Sequence, residues 1–201
     1  MKKLILGTRN AKKKKELIDL IGDLPWEIID LNQLPHAKEI EETGSTFEEN
    51  ARLKAVGVAQ MTGEWTLAED SGLVVPALHG APGVYSARYG GTQGNDRANN
   101  DRLLAELAQK KGVDRSAYFT CTAILVDPTG CVVAQTEGRC QGEIIQEPRG
   151  EGGFGYDPLF LVREYHKTFG ELSQVVKQSL SHRSRAIQKL RPMLLSYALS
   201  S

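Results

Sequence analysis

Glu69 and Asp70 stand side by side between two short apolar runs, Thr66-Leu67-Ala68 and Leu73-Val74-Val75, each of which reads as buried strand. An ionised carboxylate removed from water needs a cation, a set of donors or water to compensate it. Ser71 adds a hydroxyl and Gly72 permits a sharp bend, so two strands with a turn between them are expected here. An acidic turn accounts for this stretch taken alone. Other stretches supply the missing half of a phosphate-plus-metal site.

The first of these lies at the N-terminus. Lys3 to Thr8 reads as a short strand, and Ala11 to Ile21 as a helix with Asn10 as N-cap and Gly22 as its stop. The apolar stripe Leu17, Leu20, Ile21 and Leu24, traced backwards, lands on Lys14 and Lys13. Cations in a first turn oppose the helix dipole unless an anion sits there. The strand, then Thr8-x-Asn10-x-x-Lys13, then helix, is a geometry that can present backbone N–H groups and an ammonium to phosphate. Lys13 is singled out, while others of Lys12 to Lys15 are expected on a solvated face.

Trp26 to Asp30 reads as a second strand. Ser45-x-x-Glu48 matches a capping box opening a helix whose apolar face carries Phe47, Ala51, Ala55, Val58 and Ala59. Of Glu41 and Glu42 ahead of it, one is expected to be an exposed loop acid. The other can meet Asp70 and share a hard divalent cation, because Mg²⁺ is held by one or two carboxylates, waters and substrate phosphates. Gly80 to Gly91 is a glycine-rich aromatic loop that fits either a pocket or an interface. A helix over Asp96–Gln109 follows, then a strand over 117–126. The Asp127-Pro128-Thr129-Gly130 turn leads to an antiparallel return over 131–140, a register that pairs no two cysteines.

Gly150 to Gly155 matches G-x-G-x-x-G, but no strand precedes it and no helix opens after it, so a dinucleotide fold is rejected. The run presents Phe154 and Tyr156. Either a flat base stacks there with Asp157 near its sugar, or the aromatics turn into the core. Ser181 reads as N-cap of a last helix with Ala186, Ile187, Leu190, Leu194 and Tyr197 inward, and Pro192 is expected to kink or shorten it. His182 and Arg183 then occupy a first turn, a second place where cations await an anion. Lys177 lies just upstream. His36, His79 and His166 read as exposed loop residues.

Composition sets the bounds. The chain has 201 residues, with 25 Lys plus Arg against 25 Asp plus Glu, which gives no basic excess for nucleic acid or a membrane surface. Three cysteines without C-x-x-C spacing read as reduced thiols, and no apolar run reaches the length of a membrane span. A soluble cytoplasmic protein is expected.

Taken together, these stretches resemble the inosine triphosphate pyrophosphatase family, hydrolases of noncanonical purine nucleoside triphosphates. The resemblance rests on Thr8-Arg9-Asn10-Ala11-Lys12-Lys13 with Glu16, Glu41-Glu42-Thr43-Gly44 before Phe47, and Asp70-Ser71-Gly72-Leu73. It extends through Gly80-Ala81-Pro82-Gly83 with Tyr85 to Tyr89, Gly152 to Pro158, and Lys177 ahead of Ser181-His182-Arg183. It implies one α/β domain over 1–201: an elongated two-lobed fold with a long central mixed β-sheet flanked by helices, a substrate cleft between the lobes, and a homodimer. It further implies Mg²⁺-dependent hydrolysis of ITP, dITP or XTP to the monophosphate and pyrophosphate. By position, Thr8, Arg9, Asn10, Ala11, Lys12 and Lys13 would hold the triphosphate, Glu41 and Asp70 the metal, and Asp70 would be the general base. Ser71 would touch substrate, and Phe154, Gly155, Tyr156, Asp157, Lys177, His182 and Arg183 would enclose the nucleoside. Glu69 stands where many members have Asp, and Ser184 where Gly is frequent. A Maf-like pyrophosphatase and a non-catalytic nucleotide-binding regulator remain as alternative readings.

Overall fold

The structure, a computed structural model, describes residues 1–34, 37–110 and 112–200. Among these the strands are β1 (Lys2–Leu6), β2 (Trp26–Asp30), β3 (Trp65–Val74), β4 (Ser116–Val126), β5 (Val132–Ile144), β6 (Phe160–Val162) and β7 (Lys167–Thr168). The helices are α1 (Ala11–Ile21), α2 (Phe47–Thr62), α3 (Asp96–Ala108), α4 (Gln174–Leu180) and α5 (His182–Leu199). The strands form one mixed sheet in the order β2-β1-β3-β4-β5-β6-β7, with β1 parallel to β2 and β3, and β6 antiparallel to β5 and β7. The expected α/β class with a long mixed sheet is what the chain adopts.

Local chemistry explains most element ends. Asn10 accepts from the Lys12 and Lys13 amides at the start of α1, and Gly22 ends the helix at φ 60°. The box at α2 lies one residue later than the Ser45/Glu48 reading. Thr46 and Glu49 form it, and Glu49 also accepts from the Ser45 amide and hydroxyl. β3 runs through Gly72 without a turn, because Gly72 stays outside the left-handed region and both flanks of the strand are buried. Pro192 lies within α5 without ending it. The proline is exposed, while Ala186, Ile187, Leu190 and Leu194 anchor the opposite face. Lys177, upstream of the Ser181 motif, belongs to the short helix α4. His79 and His166 are exposed, and His36 lies outside the described residues.

The chain divides into two compact units. The first comprises Met1–Asp70, Cys121–Gly138 and Arg183–Ser201; the second comprises Ser71–Thr120 and Arg139–His182. In the first unit, strand alternation sorts the core into two faces. Leu67 packs with Leu4, Leu6 and Cys121 against Leu17 of α1 and Ile187 of α5. Ala68 points the other way, onto Ala51, Ala55 and Ala59 of α2. Close approach of β1 and β3 depends on Gly7, where an added Cβ would lie 2.8 Å from Ala68 Cβ. The second unit has its own core around Leu73, Leu103, Phe119, Tyr156, Phe160 and Phe169.

Candidate functional site

Because β3 is continuous, Glu69 follows Leu67 onto the α1/α5 face, and Asp70 follows Ala68 onto the α2 face. The two adjacent acids therefore meet different partners. Glu69, fully buried, receives Lys13 Nζ at 3.1 Å and Arg183 Nη2 at 3.3 Å. Arg183 also pairs with Glu16 of α1, and the Cys121 thiol donates to Glu69 at 3.4 Å. Burial works against the Arg183 charge, but Glu69 and Glu16 outweigh it and hold the guanidinium pKa above its ordinary value. Burial and the adjacent Glu69 push the Cys121 thiol well up, so it stays protonated.

On the other face, Asp70 accepts from Asn50 Nδ2 at 3.3 Å and from Lys54 Nζ at 3.3 Å. Lys54 also reaches Glu42 at 2.8 Å. Burial raises the Asp70 pKa, helped by Glu42 and Glu69 and opposed by Lys54 and Lys13. Lys54 is itself desolvated, but Asp70, Glu42 and Glu69 overcome that and raise its pKa. Asn50 is fully buried, and its Oδ1 accepts from the Gly44 amide at 2.8 Å, which holds its Nδ2 toward Asp70.

Lys13, Glu16, Glu69, Asp70 and Arg183 are thus brought together within the first unit. Glu41 is exposed, and it is Glu42 that Lys54 joins to Asp70. Thr8 accepts from the Asn10 amide, and the Lys12 and Lys13 amides are engaged by the Asn10 cap. Arg9 donates to the carbonyls of Leu31 and Ala37. Lys14 pairs with Asp30 at 2.7 Å. Ala11 and Lys12 are exposed. Asn50 and Lys54 were not singled out from sequence. The available signal was their i, i+4 spacing beside the Ala51/Ala55 stripe, which places two polar side chains at the edge of a buried helix face.

The second unit holds the other candidates. Asp157 accepts from Lys177 Nζ at 2.6 Å and from the Phe154 amide at 2.9 Å. The Lys177 ammonium lies 4.9 Å from the Phe154 ring centroid, a cation–π contact. Phe154 is half-buried, whereas Tyr156 is in the core with its hydroxyl donating to the Ser86 carbonyl at 2.9 Å. Of the two aromatics, Tyr156 takes the core alternative. His182 stacks on Phe119, centroids 4.8 Å apart. Ser71 sits at the start of this unit, half-buried in β3.

A divalent cation can be tested against the donors. Among the described residues no group of three or more His, Cys, Asp or Glu forms a ready cage. Mg²⁺ does not require one, since one or two carboxylates suffice when waters and phosphates complete the shell. Glu16, Glu42, Glu69 and Asp70 outnumber Lys13, Lys54 and Arg183 by one negative charge, and Asp70 is destabilised as an anion by its burial. That imbalance, with the oxygen donors of Asp70 and Glu42, fits a hard cation.

The fold matches solved structures along nearly the whole chain. A HAM1 protein from Coxiella burnetii superposes with TM-score 0.90 at 39% identity, covering 98% of this chain and 100% of that one. A model of the Ham1 family matches residues 4–193, and the chain belongs to that family. It is similar to the dITP/XTP pyrophosphatase of Rhodopirellula baltica, 50% identical over 198 residues, 98% of this chain and 95% of the relative. The dITP/XTP pyrophosphatase of Gloeobacter violaceus is 51% identical over 190 residues, 94% and 93% of the respective chains.

Proposed function

We propose that this chain is a nucleoside-triphosphate pyrophosphatase that hydrolyses dITP, ITP and XTP to the monophosphate and pyrophosphate, with Mg²⁺ as cofactor. Similarity to dITP/XTP pyrophosphatases about half identical over nearly their full length supports the reading. The observation that carries it is the buried Asp70, flanked by Asn50, Lys54 and Glu42. A carboxylate whose pKa is raised by burial is a better proton acceptor than an exposed one, and it is poised to take the proton of an attacking water.

Glu41 and Asp70 are the residues assigned to the metal, and Glu42, joined to Asp70 through Lys54, is a further oxygen donor. When bound, Mg²⁺ neutralises charge on the triphosphate and on the departing pyrophosphate. Asn50 fixes the orientation of Asp70. Lys54 and Lys13 bring positive charge to the reacting end, and Lys13 is assigned to the phosphate chain. Asp70 orients water for attack at the α-phosphorus. Glu16 and Glu69 hold Arg183, which with His182 is assigned to the 6-oxo group of hypoxanthine or xanthine. A donor placed there leaves adenine's amino group unpaired, and mismatches of this kind discriminate by about 10⁴-fold. Phe154, beside Lys177, is assigned to a face of the base. A reduced, cytoplasmic setting accords with three free cysteines, and the resemblance adds a homodimer.

The test is pyrophosphate release from dITP, XTP and ATP in ¹⁸O-labelled water, with and without Mg²⁺. The reading expects metal-dependent release from dITP and XTP far above ATP, with the label in the monophosphate. Label in pyrophosphate, or equal rates on ATP, would contradict it.

A further inference from the structure

The aromatic loop of the second unit is held by a helix to which no role has been assigned so far. Gly155 occupies the left-handed region at φ 62°, between Phe154 and the buried Tyr156. Both polar groups of its backbone are taken by α3. Its N–H donates to Asp96 Oδ2 at 2.9 Å, and its carbonyl accepts from Asn100 Nδ2 at 3.0 Å. Asp96 and Asn100 are four residues apart and so occupy one edge of the helix. The Asn100 Oδ1 is buried with no hydrogen-bond partner among the described residues. Flipping the amide would set that oxygen against the Gly155 carbonyl, so the loop itself fixes the orientation.

The same helix grips a second loop. Asn99 accepts from the Gly90 amide at 2.6 Å and donates to the Ala87 carbonyl at 3.3 Å. Arg102 donates to the Tyr89 carbonyl, and Glu106 accepts from the Tyr89 hydroxyl. Between the two loops, Tyr156 Oη donates to the Ser86 carbonyl, while Ser86 Oγ accepts from the Leu73 amide of β3. The glycine loop is thus tied to α3 through Asp96 and Asn100, and separately to Leu73 of β3 through Tyr156 and Ser86. Elsewhere in the glycine loop, the Phe154 amide donates to Asp157, the Gly152 amide donates to the Gly170 carbonyl, and the Asp157 carbonyl accepts from the Gly170 amide.

We propose that Asp96 and Asn100 are positioning residues that set the place of the Phe154 ring by holding the N–H and the carbonyl of Gly155. The proposal rests on the assignment of Phe154 to the purine base. Neither residue touches substrate. Their effect falls on binding of the base, not on the chemistry at phosphorus, so KM changes and kcat does not.

Polarity makes the test specific. Asp96→Asn keeps an acceptor for the Gly155 N–H, whereas Asp96→Ala removes it. Asn100→Ala removes the donor, and Asn100→Asp replaces it with an acceptor facing a carbonyl. Asp96→Ala and Asn100→Ala are expected to raise KM for dITP by about tenfold each, with kcat within twofold. Asp96→Asn should stay within twofold of wild type in KM, and Asn100→Asp should be at least as impaired as Asn100→Ala. Combining the two alanine changes should cost less than the product of the single effects, because both hold the backbone of one residue. Amide hydrogen exchange of the substrate-free protein at 153–157 should accelerate in the same order. The isosteric pair Asp96→Asn and Asn100→Asp carries the test if the alanine variants do not fold. Loss of kcat with unchanged KM, equal effects of Asp96→Asn and Asp96→Ala, or unaltered exchange at 153–157 would each overturn the clamp. Wild-type protein that releases no pyrophosphate from dITP overturns the proposed activity instead, and the exchange experiment still decides the clamp.

Discussion

The end of β3 and the glycine loop at 150–158 position chemical groups by opposite means. At β3 the backbone is ordinary extended strand, and side chains do the work: Lys13, Arg183, Lys54 and Asn50 converge on Glu69 and Asp70. At the loop the backbone is unusual, with Gly150, Gly153 and Gly155 all at positive φ, and main-chain groups are held by Asp157, Asp96 and Asn100. A site made of buried charges should fail when a single charge is removed. A site made of backbone geometry should fail when a Cβ is added or a main-chain partner is lost.

The largest expected effect breaks the charged side. Arg183→Met leaves Glu69 and Glu16 without their shared guanidinium, and a broken buried pair costs about 3–5 kcal/mol. Urea denaturation should read that loss directly. A change below about 1 kcal/mol would mean that the acids are satisfied without Arg183. Next comes the backbone side. Gly153 lies at φ 74°, and a Cβ there would run into the Asp157 carboxylate. Gly153→Ala should cost about 1–3 kcal/mol and disturb the Asp157–Lys177 pair, whereas alanine at Gly155, where no atom lies within 4 Å of an added Cβ, meets backbone strain alone. Equal losses at the two glycines would remove the steric part of that account.

Much of this contrast can be read from the residues, and some of it cannot. The limits of α1 were legible because Asn10 and Gly22 are local signals that act within one turn. The acids of β3 were legible as types, but their division between faces was not. The expected bend at Gly72 hid the alternation, whereas β3 runs straight through Gly72 with both of its flanks buried. Asn50 and Lys54 escaped because a polar residue on a helix edge looks solvated until a strand carboxylate is placed beside it. The missing N–H of Pro192 predicts a kink or a shorter helix when taken alone, and the four apolar anchors on the opposite face carry α5 on to Leu199. The clamp on Gly155 joins residues 55 and 59 positions apart, a separation at which no local pattern operates.

Smaller effects sharpen the charged side. Asn10→Ala removes the acceptor for the Lys12 and Lys13 amides and should cost about 1 kcal/mol in thermal unfolding. Asp30 tests the sign of a carboxylate shift. Its hydrogen bond to Lys14 holds its pKa below the usual range, so its contribution is complete above that range and is lost as pH falls through the depressed value. Asp30→Asn keeps an acceptor for the Asn32 amide and should lower stability near neutrality by less than about 1 kcal/mol. The difference from wild type should shrink in acid. A gap that persists below the titration range would show that the ion pair is not its source.

Asp70 has the opposite sign. Its raised pKa means that the ionised form costs stability at neutral pH, and the stabilising effect of protonation is lost as pH rises through the raised value. The measurement that bears most directly on the account therefore pairs turnover with stability in Asp70→Asn, a neutral side chain of the same shape. Pyrophosphate release from dITP should fall by about 10²–10⁴-fold in a variant whose thermal unfolding stays cooperative. Turnover within twofold of wild type would contradict the assignment of Asp70 as the base.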